Sequence, residues 1–239
     1  MPQNNSSNSE KKQVSFDDYI DNYKSEVQSS IGFIGQEVDF FLEIKAELLV
    51  KLAEKSFGKT EDLKVLDIGS GIGLVDKLIK YRIKNLYGVD IEDGVVKQAI
   101  SNNPDVHYQK YDGENLPFEE NTFDITFAIN VMHHVPPVLW KNFSTEMHRV
   151  LKPGGISIVF EHNPFNPLTR KVVRDCEFDR DAVLLSHKKI KELFIDASLR
   201  VVDSAYIIFF PFKSQMFRLI ESGLKWLPLG AQQYVVARK

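Results

Sequence analysis

The spacing of apolar residues changes along this chain at about residue 63. Before that point, apolar side chains recur every three or four residues, first from Phe16 to Val27 and then from Val38 to Leu52. This spacing predicts two amphipathic helices, and Gly58 closes the second one, as a glycine after the last periodic residue commonly does. After it, short apolar runs alternate with helix-length amphipathic segments.

The alternation predicts an α/β domain. We expect strands near residues 63–68, 85–90, 106–110, 124–130 and 154–162, and helices near 72–81, 93–102 and 138–151. A helix over 186–198 and two final strands, over 201–210 and 233–237, complete the pattern. Strands that are apolar on both faces, with helices between them, indicate a parallel sheet that is covered on both sides.

The first predicted strand ends in an aspartate and a glycine-rich turn. Its sequence, VLDIGSGIG over residues 65–73, places glycines at alternate positions before a helical segment. Glycine is needed where the backbone turns with positive φ or lies directly against a ligand. Dinucleotide-binding folds use a related turn, Gly-x-Gly-x-x-Gly, but here Leu74 occupies the position of the last glycine.

Polar residues also follow the other predicted parallel strands. Asp90 ends the second strand, Asp112-Gly113 the third, Asn130 to His134 the fourth, and Glu161 to Pro164 the fifth. Ligands of open α/β sheets bind outside the carboxyl ends of the strands. One edge of the sheet therefore collects polar groups from five separate segments, which indicates a binding site.

Five segments in this order resemble the class I S-adenosylmethionine (SAM) dependent methyltransferases. They are residues 65–73, Val89-Asp90, Tyr111 to Gly113, Phe123 to Val135 and Arg149 to Gly155. The resemblance covers residues 60–165. It implies a Rossmann-like, seven-stranded, mostly parallel sheet with helices on both faces and an antiparallel last strand. An N-terminal helical extension precedes this sheet.

The resemblance also implies a division of the chain. We expect a disordered tail over residues 1–14, a helical lid or extension over 15–58, and the methyltransferase domain over 59–239. N-terminal helices of this family often cover the SAM pocket. Tyr19 and Tyr23 would then face the ligand, whereas the alternative is a surface helix packed by its apolar stripe.

Expected contacts with SAM follow from its groups, which include no phosphate. The glycine turn lets the backbone approach the amino-acid tail and the ribose, Asp67 meets the tail ammonium, and Asp90 accepts the ribose hydroxyls. Asp112 accepts from the adenine amino group, or forms only a turn before Gly113. The full expected cofactor set is Asp67, Gly69, Ser70, Gly71, Gly73, Asp90, Ile91, Asp112, Gly113 and Asn130.

Histidines supply the candidate bases. Methyl transfer needs donor and nucleophile held in line, and a hydroxyl nucleophile also needs a base. His162 is the favoured base and His134 the second candidate, and a group of pKa near ~6.5 is expected to control the rate. No metal site is expected, because no further ligands lie close to His133, His134 and His162 in the sequence.

Residues 161–170 (EHNPFNPLTR) are the most individual segment. Pro164 and Pro167 predict a rigid loop rather than a helix, with Asn163 to Arg170 lining the acceptor pocket. The segment resembles a subfamily of bacterial methyltransferases often found in contexts of glycan biosynthesis. The following Cys176 is interpreted as a small buried apolar residue.

Composition limits the partners. The formal net charge of −3 gives no general affinity for nucleic acid, and the single cysteine allows no intramolecular disulfide. The polar N-terminus has no signal-peptide core and no apolar run is long enough to span a bilayer, so a cytoplasmic location is expected. The apolar segment from Phe209 to Leu227 predicts internal packing, a dimer face or peripheral membrane contact.

Together these features predict a SAM-dependent methyltransferase acting on a small or carrier-linked acceptor, with a sugar or glycan intermediate as the leading candidate. A protein or RNA methyltransferase would bind SAM with the same part of the domain, although the sequence shows no row of basic residues that would bind RNA. A non-catalytic SAM-binding partner protein is the other alternative, because intact motifs indicate binding more directly than turnover.

Overall fold

The computed structural model describes residues 38–212 and 215–239. The predicted tail and the predicted lid helix, with Tyr19 and Tyr23, lie outside these residues. The described helices are α1 (Val38–Phe57), α2 (Leu74–Ile79), α3 (Asp93–Asn102), α4 (Trp140–Val150), α5 (Pro167–Asp175), α6 (His187–Asp196) and α7 (Gln215–Leu224). The strands are β1 (Lys64–Ile68), β2 (Asn85–Asp90), β3 (His107–Lys110), β4 (Phe123–Ile129), β5 (Leu151–His162), β6 (Arg200–Ile207) and β7 (Gln232–Arg238).

The strands form one seven-stranded sheet in the order β3-β2-β1-β4-β5-β7-β6. Neighbouring strands from β3 to β5 pair in parallel, whereas β7 runs antiparallel to both β5 and β6. This topology confirms the predicted fold class, a Rossmann-like, mostly parallel sheet with an antiparallel last strand. Its strand order reverses between β1 and β4, where ligands of such sheets bind.

Both faces of the sheet are buried. Along β5, Ile158 and Phe160 pack into one apolar cluster with α1 and α2, whereas Val159 packs into another with α4 and α6. Successive side chains of a strand point to opposite faces, so a strand covered on both sides is apolar at most positions. This explains why the central parallel strands β1, β4 and β5 appear in the sequence as largely apolar runs.

The prediction that residues 161–170 contain no helix is wrong in its second half. Helix α5 begins at Pro167, with Asn166 as its N-cap, and the Asn166 side chain accepts the Thr169 N–H. A proline at the first helical position removes only an N–H that has no intrahelical partner, and its fixed φ suits the helix. The segment is therefore a short turn followed by a helix.

No helix within the described ranges is long and apolar enough to cross a membrane.

Candidate active site

A large cavity opens at the carboxyl ends of β1, β2, β4 and β5. Its volume is about 580 Å³, within the ~300–1,000 Å³ typical of ligand pockets. Its walls come from the loops after these strands, the start of α1, the segment from Asn166 to Asp179, and the residues after β6. The topology therefore places the cavity where the sequence predicts the binding site.

The glycine turn after β1 forms one wall. Gly69, Gly71 and Gly73 have φ values of 77°, 54° and 75°, a region that residues with a Cβ rarely adopt. Gly69 and Gly71 line the cavity, and a Cβ on Gly71 would point into open space. Gly73 does not line it, because a Cβ there would lie 2.5 Å from the Tyr108 hydroxyl. We conclude that Gly73 is needed for packing rather than for ligand contact.

Three polar atoms at this wall are buried without a hydrogen-bond partner among the described residues. They are Asp67 Oδ1, Ser70 Oγ and Asn130 Oδ1, and all three residues line the cavity. Burial, and then the nearby Asp76 carboxyl, raises the pKa of Asp67 well above its usual range. A buried acceptor group costs free energy unless it is paired. The wall is therefore suited to a ligand with hydrogen-bond donors and a positive charge.

Asp90 lies beside the glycine turn, as predicted. Its Oδ2 accepts the Gly71 N–H at 2.9 Å, and its Oδ1 accepts the Glu92 N–H at 3.3 Å. Each carboxylate oxygen can accept more than one hydrogen bond, so the two oxygens of Asp90 can still accept hydrogen bonds from two ligand hydroxyls. The next residue, Ile91, is about half exposed and also lines the cavity, where it offers an apolar surface.

Asp112 is held by its own loop. Its Oδ1 accepts the N–H groups of Glu114 and Asn115, and its Oδ2 accepts the Asn115 side-chain amide. These bonds also lower the pKa of Asp112. The turn interpretation of this residue therefore fits the structure, although Asp112 and Gly113 both border the cavity.

A second part of the cavity wall carries a cluster of histidines and carboxylates. His133 is fully buried, with its Nδ1 2.6 Å from Glu161 Oε2. The Nε2 atoms of His133 and His134 each lie 3.4 Å from the same oxygen, Asp179 Oδ1. The His162 ring is 5.1 Å from the His133 ring. Both predicted bases, His134 and His162, line the cavity beside this cluster.

The expected titration of these bases near ~6.5 is not what the structure gives. Burial, and then the charge of His133, lowers the pKa of His134 and of His162 to about 4. Burial also lowers the pKa of His133, but Glu161 and Asp179 outweigh it and raise this pKa to about 10. His162 is thus a neutral imidazole at pH 7 and a weak base.

Two residues expected in the acceptor pocket do not line it. Asn163 is fully buried, and its side-chain amide donates to the carbonyl oxygens of Pro228 and Gly230. Arg170 is exposed on the outer face of α5. The residues of this segment that do reach the cavity are Asn166, Leu168 and Thr169. Cys176 is buried as predicted, and it contributes to the cavity wall.

Three residues of the site were not predicted. Glu161 lies in the individual segment 161–170 and Asp179 lies beyond it, but nothing in their spacing indicates that both face His133. Lys45 lies on the buried side of α1 and also lines the cavity. Burial lowers the pKa of its amine to about 8 against the opposing effect of Glu161. A lysine within an otherwise apolar helical stripe was the available signal.

Comparison with known proteins shows that the central part of the chain is similar to methyltransferases. Residues 66–159 match a family described as a methyltransferase domain. An uncharacterised methyltransferase of Synechocystis is 33% identical over 104 residues, which cover 43% of this chain and 49% of that protein. A sterol 24-C-methyltransferase of Schizosaccharomyces pombe is 34% identical over 105 residues, covering 41% and 27%. The chain thus spans half or less of the length of these relatives.

Solved structures show the same fold over most of the chain. A SAM-dependent methyltransferase of Thermotoga maritima superimposes with a TM-score of 0.68 at 19% identity, covering 94% of this chain and 98% of that one. One from Aquifex aeolicus gives a TM-score of 0.56 at 18% identity, covering 82% and 97%. These findings confirm that the chain resembles class I methyltransferases in sequence motifs and fold, and both of these structural neighbours are described as SAM-dependent.

Proposed function

We propose that this chain catalyses the transfer of a methyl group from SAM to an acceptor bound in the same cavity. The observation that carries the proposal is the pairing of two unlike walls. One wall presents hydrogen-bond-accepting oxygen atoms and positive-φ glycines, and the other presents a histidine–carboxylate cluster. We call the first the donor wall, because it suits a cationic methyl donor. We call the second the acceptor wall, because it suits the molecule that receives the methyl group.

The donor wall fits the groups of SAM. Asp67 Oδ1 is a buried carboxyl oxygen that accepts from no donor among the described residues, and the tail ammonium would pair with it. Asp90 lies next to the glycine turn and would accept the ribose hydroxyls. Ile91 and Gly113 border the space that remains for the adenine ring. A dinucleotide would instead place a pyrophosphate against this turn, and it would bring no ammonium group to Asp67.

The acceptor wall supports a small or carrier-linked acceptor with an apolar part. Besides the cluster, it is lined by the apolar side chains of Phe41, Leu42, Leu168, Val172, Phe178 and Phe209. Several large apolar residues near this end of the molecule are exposed, among them Phe212, Trp226 and Leu229. They would support an acceptor on an apolar carrier, and a sugar or glycan intermediate on such a carrier remains our leading candidate. The net charge favours no nucleic-acid acceptor.

Binding of SAM through Asp90 is the first prediction. Asp90→Ala removes two charge-assisted hydrogen bonds, each worth ~1.5–3 kcal/mol, so the affinity for SAM should fall at least ~100-fold. Asp93→Ala is the matched control, because Asp93 is a nearby exposed acid at the start of α3. Isothermal titration calorimetry of the three proteins decides it, with circular dichroism as the test of folding. Equal affinities in Asp90→Ala and Asp93→Ala would contradict the assignment.

Turnover is tested separately. The purified chain is incubated with methyl-labelled SAM and sets of glycan, lipid-linked and apolar small-molecule acceptors, and label transfer is measured. Transfer to an acceptor that Asp90→Ala does not methylate supports the proposal and names the acceptor class. Tight SAM binding without transfer to any acceptor set would instead favour a non-catalytic SAM-binding protein.

A further inference from the structure

Three potential metal ligands meet on the acceptor wall of the cavity. The Nε2 atoms of His133 and His134 each lie 3.4 Å from Asp179 Oδ1, and the three ligand atoms all lie within 4.8 Å of one another. All three residues line the cavity. His133 and His134 follow β4, whereas Asp179 lies in the segment after α5, so only the fold brings them together.

The two separations from Asp179 Oδ1 match those of ligands around one ion, and the two histidine nitrogens lie within 4.8 Å of each other. Zinc binds imidazole nitrogen and carboxylate oxygen at ~2.0–2.2 Å, so two ligands of a tetrahedral site lie about 3.3 Å apart. We propose that His133, His134 and Asp179 form a binding site for a divalent transition metal, with Zn²⁺ as the reference ion. Two imidazoles and one carboxylate are a donor set suited to zinc, iron and cobalt.

Glu161 supplies the outer support that such sites use. Its Oε2 lies 2.6 Å from His133 Nδ1, and its side chain is fully buried. A metal-bound histidine commonly donates its other ring N–H to a carboxylate, which fixes the ring and leaves the second nitrogen for the ion. The Glu161–His133 pair has this arrangement, with His133 Nε2 directed toward Asp179.

The site is open on the cavity side. His133 and Asp179 are nearly buried, but the His134 side chain is 30% exposed, which gives an ion a route in. Three protein ligands leave at least one coordination position for water or a bound molecule, as in catalytic zinc sites. If methyl transfer is the function, as proposed above, an acceptor oxygen would occupy this position and lose its proton more readily there. Metal binding itself does not depend on that function.

The rival interpretation places a proton where the ion would lie. His133 would then be an imidazolium that links Glu161 and Asp179, and the cluster would hold the histidines in place without a metal. Both interpretations use the same side chains, so a direct titration with metal is needed to separate them.

The test uses the full chain, treated with a chelator and dialysed, and titrated with Zn²⁺ alone by calorimetry in the absence of SAM. We expect one ion per chain with a Kd of ~10 μM or tighter. Titration with Co²⁺ adds a spectroscopic readout, because visible absorption bands report the coordination of that ion. Asp179→Asn and His134→Ala should each weaken Zn²⁺ binding at least ~10-fold, and Glu161→Gln by ~10–100-fold.

Matched controls are available nearby. Asp181→Asn changes an exposed carboxylate two residues from Asp179, and His148→Ala removes a histidine on α4 that lies outside the cluster. Both should bind Zn²⁺ like the wild type. If Asp179→Asn does not fold, His134→Ala still tests the site, because His134 is partly exposed and its replacement should leave the fold intact. Absence of Zn²⁺ binding by the wild type, or equal binding by His134→Ala and His148→Ala, would overturn the metal site and favour the imidazolium. A protein that binds SAM but no metal would leave the proposed function intact.

Discussion

At the scale of single residues, the side chains that face the cavity are those whose burial costs stability. Asp67 is a carboxyl whose buried Oδ1 has no hydrogen-bond donor among the described residues, and Lys45 is an amine buried on an otherwise apolar helix face. Burying an ionisable group disfavours its charged form, and natural proteins tolerate that cost mainly at functional sites. We infer that both residues serve the ligands rather than the fold.

Lys45 gives a prediction that can be measured without a substrate. Burial lowers its pKa from 10.5 to about 8, and a difference of this size corresponds to at most about 3 kcal/mol. Lys45→Met should therefore raise the free energy of unfolding by ~1–3 kcal/mol at pH 7. The free-energy cost of burying Lys45 is greatest where its amine is protonated in both states, and it disappears once the amine of the unfolded chain also loses its proton. The increase in the free energy of unfolding of Lys45→Met should therefore shrink as the pH rises from 8 to 10.5. Urea unfolding across this range measures it.

Lys51→Met is the matched control, since Lys51 is on the same helix but its side chain is 66% exposed. Its free energy of unfolding should change by less than ~0.5 kcal/mol. A loss of stability in Lys45→Met would show instead that Glu161 depends on this amine as a structural partner.

At the scale of elements, largely apolar runs predicted the central parallel strands β1, β4 and β5, because burial on both faces leaves few polar positions within them. Helix α5 was missed because the sequence argument treated Pro167 as a breaker, whereas at the first helical position it is tolerated. The role of Asp179 was not predictable from spacing, because no local pattern reports which distant strand end a loop residue will face.

Two glycines with positive φ allow the free-energy cost of left-handed backbone to be separated from the effect of a substitution on ligand binding. Gly71 and Gly58 both have positive φ, and a Cβ on either would meet nothing within 4 Å. Gly71→Ala and Gly58→Ala should each lower the free energy of unfolding by ~1–2 kcal/mol, which is the cost of left-handed backbone for alanine. Only Gly71→Ala places its methyl at the cavity, so only this variant should weaken SAM binding, by at least ~10-fold. Calorimetry and urea unfolding of the pair measure both effects.

Gly58 ends α1 and does not line the cavity, which makes it the internal control. If both variants keep wild-type affinity for SAM, the donor does not lie against the turn and the position assigned to its tail is wrong.

At the scale of the whole molecule, the parallel topology explains why the location of the binding site could be predicted from the sequence. The side chains that face the ligand could be predicted only in part. All the parallel strands end at one edge, so Asp67, Asp90, Asn130 and the histidines had to meet there once the fold was known. Which of these side chains face the ligand depends on packing. Asn163 and Gly73 were expected at the site, but hydrogen bonding to a neighbouring loop and close packing with Tyr108 keep both out of the cavity wall.

The same topology links the stability of the whole domain to ligand and pH. Burial raises the pKa of Asp67, and that of its neighbour Asp76 to about 7. At these two carboxyls the folded protein therefore holds protons that the unfolded chain has lost above pH ~4, so the stability that they contribute should fall as the pH rises toward 8. An ammonium bound beside Asp67 would lower the pKa of this carboxyl again, so binding should release a proton and strengthen with rising pH.

We therefore expect S-adenosylhomocysteine, which keeps the amino-acid tail of SAM, to raise the Tm more at pH 8 than at pH 6. At 100 times its Kd a ligand stabilises the folded state by ~2.7 kcal/mol, or roughly 5–10 °C for a domain of this size. Asp67→Asn is the control, because the amide cannot titrate. It should make the free protein more stable than the wild type at pH 8 and weaken ligand binding. Its thermal shift should also depend less on pH. A wild-type shift that is equal at the two pH values, or larger at pH 6, would contradict the pairing of Asp67 with the ammonium.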